Sequence, residues 1–239
     1  MNPEFMPQFA PFVVLMFLGT CFVLFIAALV FLIGLLARKR ALAKWSAAGA
    51  CAVAGIYFAL LLGASVTSEE KTLSANGRKY FCEIDCHIAY SIESVTTAKV
   101  VGSAPQEATA SGTFYIVKVR TWFDENTISN HRPKDAPLTP DPRRVAIVDD
   151  QGREYGVSGP GLAALQHTEA HWTPLTEPLI PGESYVTDLV FDLPSGAQNP
   201  RLFITDADGV TRFLIGHENS PLHKKILLGL RPSSSSATL

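Results

Sequence analysis

The chain has 239 residues, a formal net charge of −2 and 18% charged residues. A surface that is not basic cannot neutralise many phosphates, which argues against a nucleic-acid partner. The average conceals two compositions: residues 1–66 are overwhelmingly apolar, and residues 67–239 mix apolar and charged side chains in the manner of a globular domain, long enough to bury a core.

Residues 1–11 hold one charge, Glu4, and are expected to form a short extracytoplasmic segment. From Phe12 to Ala37 no charged residue occurs. As a helix that run extends roughly 39 Å, against a hydrocarbon core of about 30 Å. A second uncharged run, Trp45 to Val66, is also long enough. Hydrocarbon offers the backbone no water to bond, so both runs are predicted to be transmembrane helices forming a hairpin over 12–66. A cleaved signal peptide is the competing reading of the first run. It calls for a basic leader and an apolar stretch of about 7–15 residues, whereas no Lys or Arg precedes Phe12 and the run is far longer.

The connector, residues 38–44, carries Arg38, Lys39, Arg40 and Lys44. Positive charge is retained on the cytoplasmic side, so the expected location is the inner (cytoplasmic) membrane. Both termini are then extracytoplasmic, and the remainder of the chain lies in the periplasm or at the cell exterior. The lipid bilayer is the first expected partner. Neither run holds an Asp, Glu, Lys, Arg or His, which gives no support to an ion path. Ala47, Ala48, Gly49, Ala50, Ala52, Ala54 and Gly55 make a small-residue surface, expected to pack on the first helix.

Residues 67–78 are polar and expected to be a stalk. Strand signals follow over 79–232. Cys86, Ile88, Tyr90 and Ile92 alternate with polar or small residues, and Phe114–Phe123 is rich in aromatic and β-branched side chains. Val145 and Ile147 precede the turn Asp149–Gly152, and Tyr185 to Leu193 alternates again. Leu202 and Ile204 lead into Asp206–Gly209, with Val210 to Ile215 expected as the return strand and Ile226 to Leu230 as the last. Only Gly161 to His167 reads as helix. Many short strands separated by turns predict an all-β domain, an antiparallel sandwich. The low-complexity tail 233–239 is expected to be disordered.

Val148-Asp149-Asp150-Gln151-Gly152-Arg153-Glu154-Tyr155 is followed by Leu179-Ile180-Pro181-Gly182-Glu183-Ser184 and Leu189-Val190-Phe191-Asp192-Leu193-Pro194. This succession resembles the telokin-like, immunoglobulin-like extracellular domains of bacterial membrane proteins and lipoproteins, over about residues 110–215. The resemblance implies an immunoglobulin-like sandwich and brings no catalytic residues.

The sharpest chemical feature is Phe81-Cys82-Glu83-Ile84-Asp85-Cys86-His87. Outside the cytoplasm two nearby cysteines most often pair, so a Cys82–Cys86 disulfide is expected. Cys21 and Cys51 lie in the spans as apolar fillers. The alternative is a thiol-redox or copper site built from Cys82, Cys86 and His87 with His217 and His223, since thiolate and imidazole suit a soft metal. The Cys-x-x-x-Cys spacing on a two-helix anchor resembles cytochrome oxidase subunit II and its copper-delivery proteins. This chain departs from them: its cysteines come early, and no Met follows in the outer domain. Asp149, Asp150, Asp206 and Asp208 read as hairpin-turn residues, without the spacing of a calcium loop. Trp122, Asp124, Asn126, His131 and Arg132 form a candidate partner-binding edge where a strand opens into a Pro-rich loop.

These features predict a non-enzymatic, cofactor-free interaction module serving as a subunit or accessory of a bacterial envelope complex, with a membrane or periplasmic protein as partner. The alternative is a copper-binding or thiol-redox accessory of a respiratory complex.

Overall fold

A computed structural model describes residues 2–3, 10–74, 76–81, 87–128, 132–168 and 172–230. The chain divides into two compact units, one of residues 5–69 and 209–224, the other of residues 1–4, 70–208 and 225–239.

The first unit is built on α1 (Ala10–Leu36) and α2 (Arg40–Val66), both long and apolar enough to cross a membrane. α1 ends where Arg38 takes a left-handed conformation, with φ 55°. The Arg38 amide then donates to Leu35 O and the Lys39 amide to Gly34 O, the paired bonds of a Schellman stop. The chain reverses at once, and the helices pack side by side. Ser46 Oγ donates to Ala27 O at 2.6 Å, and the Phe17 and Tyr57 rings lie 6.2 Å apart. One stripe of α2 is covered, with Ala43, Tyr57, Leu61 and Ser65 buried and Ala50 and Ala54 partly so. The small-residue surface is therefore split. Ala47, Ala50 and Ala54 are partly covered, while Ala48, Gly49, Ala52 and Gly55 face outward. The 3.6-residue period cannot bring a contiguous run onto a single face. Around the pair, Phe12, Leu15, Phe22, Phe25, Leu36 and Ile56 are 60–77% exposed.

The second unit is a two-sheet sandwich. One sheet has the order β1 (Asn2–Pro3), β3 (Lys79–Phe81), β4 (Ile88–Val101), β5 (Ala108–Phe123), β8 (Ser184–Leu193). The other runs β2 (Lys71–Leu73), β10 (Ile226–Gly229), β9 (Arg201–Asp206), β6 (Arg143–Val148), β7 (Glu154–Gly156). Alternation along the strands sends every second side chain inward. Tyr90, Val119, Phe123 and Phe191 from one sheet meet Ile147, Leu202, Ile204 and Leu228 from the other, all fully buried. Lys79, also buried, reaches between the sheets and donates to Ile204 O at 2.6 Å and Ile226 O at 3.0 Å. Arg143 lies 4.3 Å over the Phe81 ring and pairs with Asp206. Helix α3 (Gly159–Thr168) covers part of the outer face of the first sheet, where the sequence pattern predicts it.

Three details differ from expectation. The sandwich is not wholly antiparallel, since β2 pairs with β10 and β1 with β3 in parallel. Lys71–Leu73, inside the expected stalk, is strand β2, and Glu70 holds Arg201 at 2.6 Å. Gly209–Phe213 is a 3-10 segment rather than a return strand. β9 already has β10 on one side and β6 on the other, so a hairpin partner following it has no free edge to join. The expected N-terminal segment and the tail 233–239 lie outside the described residues apart from Asn2–Pro3 and Ala10 onward.

Candidate functional site

The outer face of the first sheet is assembled in cross-strand rows. Register places Ala89, Trp122 and Ser184 side by side, then Ser91, Arg120 and Val186, then Ser94, Lys118 and Asp188. Further along come Thr96, Ile116 and Val190, where α3 is seated. The helix comes close because Gly161 has no side chain: a Cβ there would sit 2.7 Å from Val190 Cγ1 and 3.0 Å from Phe114 Cε1. Apolar rows are thus roofed by α3, and polar rows are left open.

The open rows line a cleft of about 460 Å³ bounded by Asn76, Arg78, Ser91, Glu93, Arg120, Trp122 and Ser184. Its geometry follows from two local devices. The β4–β5 register shifts between Ile92 and Ser94, so the extra residue, Glu93, is turned to the outer face. There its carboxylate meets Arg120 Nη2 at 3.0 Å, while Arg120 Nη1 donates to Ser184 Oγ at 3.0 Å. At the other wall Ile180-Pro181-Gly182-Glu183 turns tightly, with the Glu183 amide donating to Ile180 O and Gly182 at φ +87°, the conformation a type II turn asks of its third residue. The Gly182 amide then donates to Phe123 O and pins the turn to the end of β5.

Arg78 lies 3.7 Å over the Trp122 ring, a cation–π stack. Next along, Lys118 meets Asp188 at 2.9 Å, and Trp172 Nε1 donates to the Asp188 carbonyl at 3.0 Å. The cleft thus presents two guanidinium groups, one paired with the Glu93 carboxylate and one stacked on the Trp122 indole, flanked by hydroxyls. Such a surface suits a carboxylate or other planar anion next to an apolar group.

Of the expected partner-binding residues, Trp122 lines this cleft and Arg132 lies 5.4 Å from the Phe123 ring. Asp124 is buried instead. Its carboxylate accepts Tyr80 Oη at 2.9 Å and both the amide and Nδ2 of Asn126 at 3.0 Å, holding the chain as it leaves β5. Burial, reinforced by Asp124 and opposed by Arg78, raises the Tyr80 phenol above its ordinary pKa. His131 lies outside the described residues. Sequence reasoning missed Arg78, Glu93 and Arg120, although the alternation Lys118-x-Arg120-x-Trp122 carried a signal: three polar or amphipathic residues on one strand face.

The cysteine–histidine expectation needs correcting. Both described cysteines, Cys21 and Cys51, are free thiols on α1 and α2. The expected disulfide therefore has no counterpart among the described residues. Cys82 and Cys86 lie outside them. Among the described residues no group of three or more His, Cys, Asp and Glu side chains is placed to hold a metal. His87 is buried and stacked on Phe123 at 5.5 Å, with Nδ1 2.7 Å from Thr127 Oγ1. The hydroxyl proton of Thr127 is already given to Asp124 O, so Nδ1 of His87 is the donor. In the helical unit, His217 Nδ1 accepts the Asn219 amide at 3.0 Å, and His223 Nδ1 donates to Lys224 O at 2.7 Å. Burial lowers the His223 pKa, and the bond to the Lys224 carbonyl opposes it.

Of the turn acids, Asp149 closes its own hairpin. Asp149, fully buried, accepts the Gln151 and Arg153 amides, Arg153 Nε at 2.7 Å and Tyr155 Oη at 3.0 Å. Burial pushes its pKa up, but these bonds outweigh it and hold the carboxyl at about 2. Here is the physical content of the Asp-x-x-Gly-x-x-Tyr pattern: one carboxylate closes the β6–β7 hairpin.

No protein-family model matches the chain, and no curated protein matches it by sequence. Among solved structures it is similar to a conserved hypothetical protein from Bacillus anthracis, with 13% identity, 57% of this chain and 89% of that one covered and a TM-score of 0.39. A secreted protein from Mycobacterium tuberculosis gives 8% identity, coverage of 68% and 99%, and a TM-score of 0.39. An uncharacterized β-sandwich protein from Clostridium difficile gives 12%, 69% and 96%, and 0.38. Likenesses of this size assign nothing, and the sandwich rests on the strand pairing described above.

Proposed function

We propose that this protein is a non-enzymatic interaction module of a bacterial envelope complex, held in the cytoplasmic membrane by α1 and α2. In this reading the sandwich, immunoglobulin-like in organisation, is displayed on the outer side as a docking surface. The observation that carries the anchor is the inverted polarity of the helical pair. Its large apolar side chains point away from the α1–α2 contact, with Phe12, Phe22 and Ile56 among them. So continuous an apolar surface is untenable in water and suits a bilayer. The basic connector favours a cytoplasmic turn.

The docking role is supported by the open half of the outer sheet face. Trp122 under Arg78, next to Arg120, combines the residue types that dominate binding energy at interfaces. The partner surface it fits carries an acidic side chain next to an apolar one. The outward stripe Ala48, Ala52 and Gly55 would admit close approach by a helix of the same partner.

Two measurements test this reading. The full chain should stay in the membrane pellet after alkaline carbonate extraction. In intact spheroplasts an impermeant thiol reagent should label Lys99→Cys and spare Arg40→Cys, in a chain whose native cysteines are replaced. Release by carbonate, or the opposite labelling pattern, would sink the proposal.

A further inference from the structure

The stretch between β9 and β10 belongs to the helical unit. It is knotted by a repeating bond: the amides of Leu214, His217, Ser220 and His223 donate to the carbonyls of Thr211, Leu214, His217 and Ser220. Ser220 Oγ adds a bond to Leu214 O at 2.6 Å, and Asn219 Nδ2 one to Thr211 Oγ1 at 3.0 Å. His217, Glu218 and Ser220 are buried.

This knot is tied to α2 at two levels. Tyr57 Oη donates to Phe213 O at 2.6 Å, and the Lys224 amide donates to Ser68 Oγ at 2.8 Å. Tyr57 lies nine residues before Val66, the end of α2, which is roughly 13 Å along the axis. Between the two bonds, on the same helix face, Leu61 and Ser65 are almost wholly enclosed. Residues 209–224 therefore run along the outer third of α2.

Apolar side chains project from the knot: Val210 is 48% exposed, Phe213 47% and Leu222 69%. Leu222 does so from φ +65°, a conformation a bulky residue rarely adopts and one that points to function. Arg212 and Lys224 are exposed beside them. Resting on the anchor reading, we propose that residues 209–224 are a lipid-inserted wedge. Val210, Phe213 and Leu222 enter the acyl chains of the outer leaflet, and Arg212 and Lys224 meet the headgroups. Non-helical backbone survives at that depth only when its polar groups are satisfied within the protein, and the repeating bonds and the Tyr57 hydroxyl do so for the groups named above.

The wedge is tested on the full chain in phosphatidylethanolamine–phosphatidylglycerol nanodiscs, with a fluorescent amino acid placed by codon suppression at 213, 222, 29 or 99. Position 29, in the middle of α1, reports the anchor, and position 99, on the sandwich, reports water. The expected result is that probes at 213, 222 and 29 are quenched by acyl-chain nitroxides and shielded from aqueous iodide, while the probe at 99 behaves oppositely. Quenching at 29 with iodide access at both 213 and 222 overturns the wedge and leaves the anchor standing. Iodide access at 29 overturns the anchor, and the wedge with it.

Discussion

The two units bury their side chains by opposite rules. In the sandwich Phe123, Phe191 and Phe203 are fully enclosed, and charged groups either reach the surface or find partners, as Lys79 does on two carbonyls. In the helical pair Phe12, Phe22 and Phe25 point outward, and the contact between helices includes Gly34 against Ala43, the Ser46 bond to Ala27 and the Phe17–Tyr57 rings. Both arrangements obey one principle, that apolar surface leaves water. In the sandwich the chain supplies its own apolar phase. In the helices that phase has to come from the surroundings, which is why packing there relies on small side chains and a hydrogen bond.

That contrast is open to direct test, and the largest effect is expected in the core. Phe191→Ala should cost about 3–5 kcal/mol of sandwich stability, whereas Leu29→Ala, on the outer face of α1, should leave the same denaturant midpoint in detergent nearly unchanged. Comparable losses would mean that the two units are not packed by different rules. Gly161→Ala comes next, at about 1–3 kcal/mol, because the new methyl meets Val190 and Phe114. Hydrogen exchange should then quicken in α3 while β9 and β6 stay protected.

A pH scan separates the hairpin closure from the apolar core. The folded pKa of Asp149, about 2, lies below its ordinary value of 3.8. Its contribution is therefore present above about pH 4 and lost as pH falls toward 2. The unfolding midpoint should drop across that window in the wild type, and the share due to this residue should vanish in Asp149→Asn. An identical slope in both would remove Asp149 from the account. The smallest effect on stability is expected at the cleft. Arg120→Ala breaks an exposed pair and should shift stability by less than about 1 kcal/mol. In the docking proposal the same change weakens partner capture in cross-linked membranes, and unaltered capture would remove Arg120 from that surface.

Much of this plan was legible along the chain. Both apolar runs, the short helix near Gly161 and the strands around Phe114–Phe123 and Tyr185–Leu193 are local patterns, and each emerged in place. Of the residues lining the cleft, Trp122 was named from the sequence and Arg78 was not. Arg78 reaches the cleft only because β3 pairs with β4 and β4 with β5, which brings it onto a ring 44 positions further along. Asp124 was misread as surface because a polar residue at a strand end looks the same whether it faces water or closes a turn. The return strand expected at Val210–Ile215 failed for a topological reason, β9 being paired on both sides.

By itself the sequence settled what depends on neighbours within one turn or one strand: where the apolar helices run, which residues alternate, and which turns need Gly or Asp. Those properties follow from backbone period and side-chain chemistry over a few residues. Tertiary structure alone decided which strands lie together, that α3 roofs the apolar rows and leaves Arg78, Arg120 and Trp122 open, and that residues 209–224 join α2 through Tyr57. Each of those outcomes turns on contacts between residues far apart in the chain, where edge availability and packing outweigh local preference.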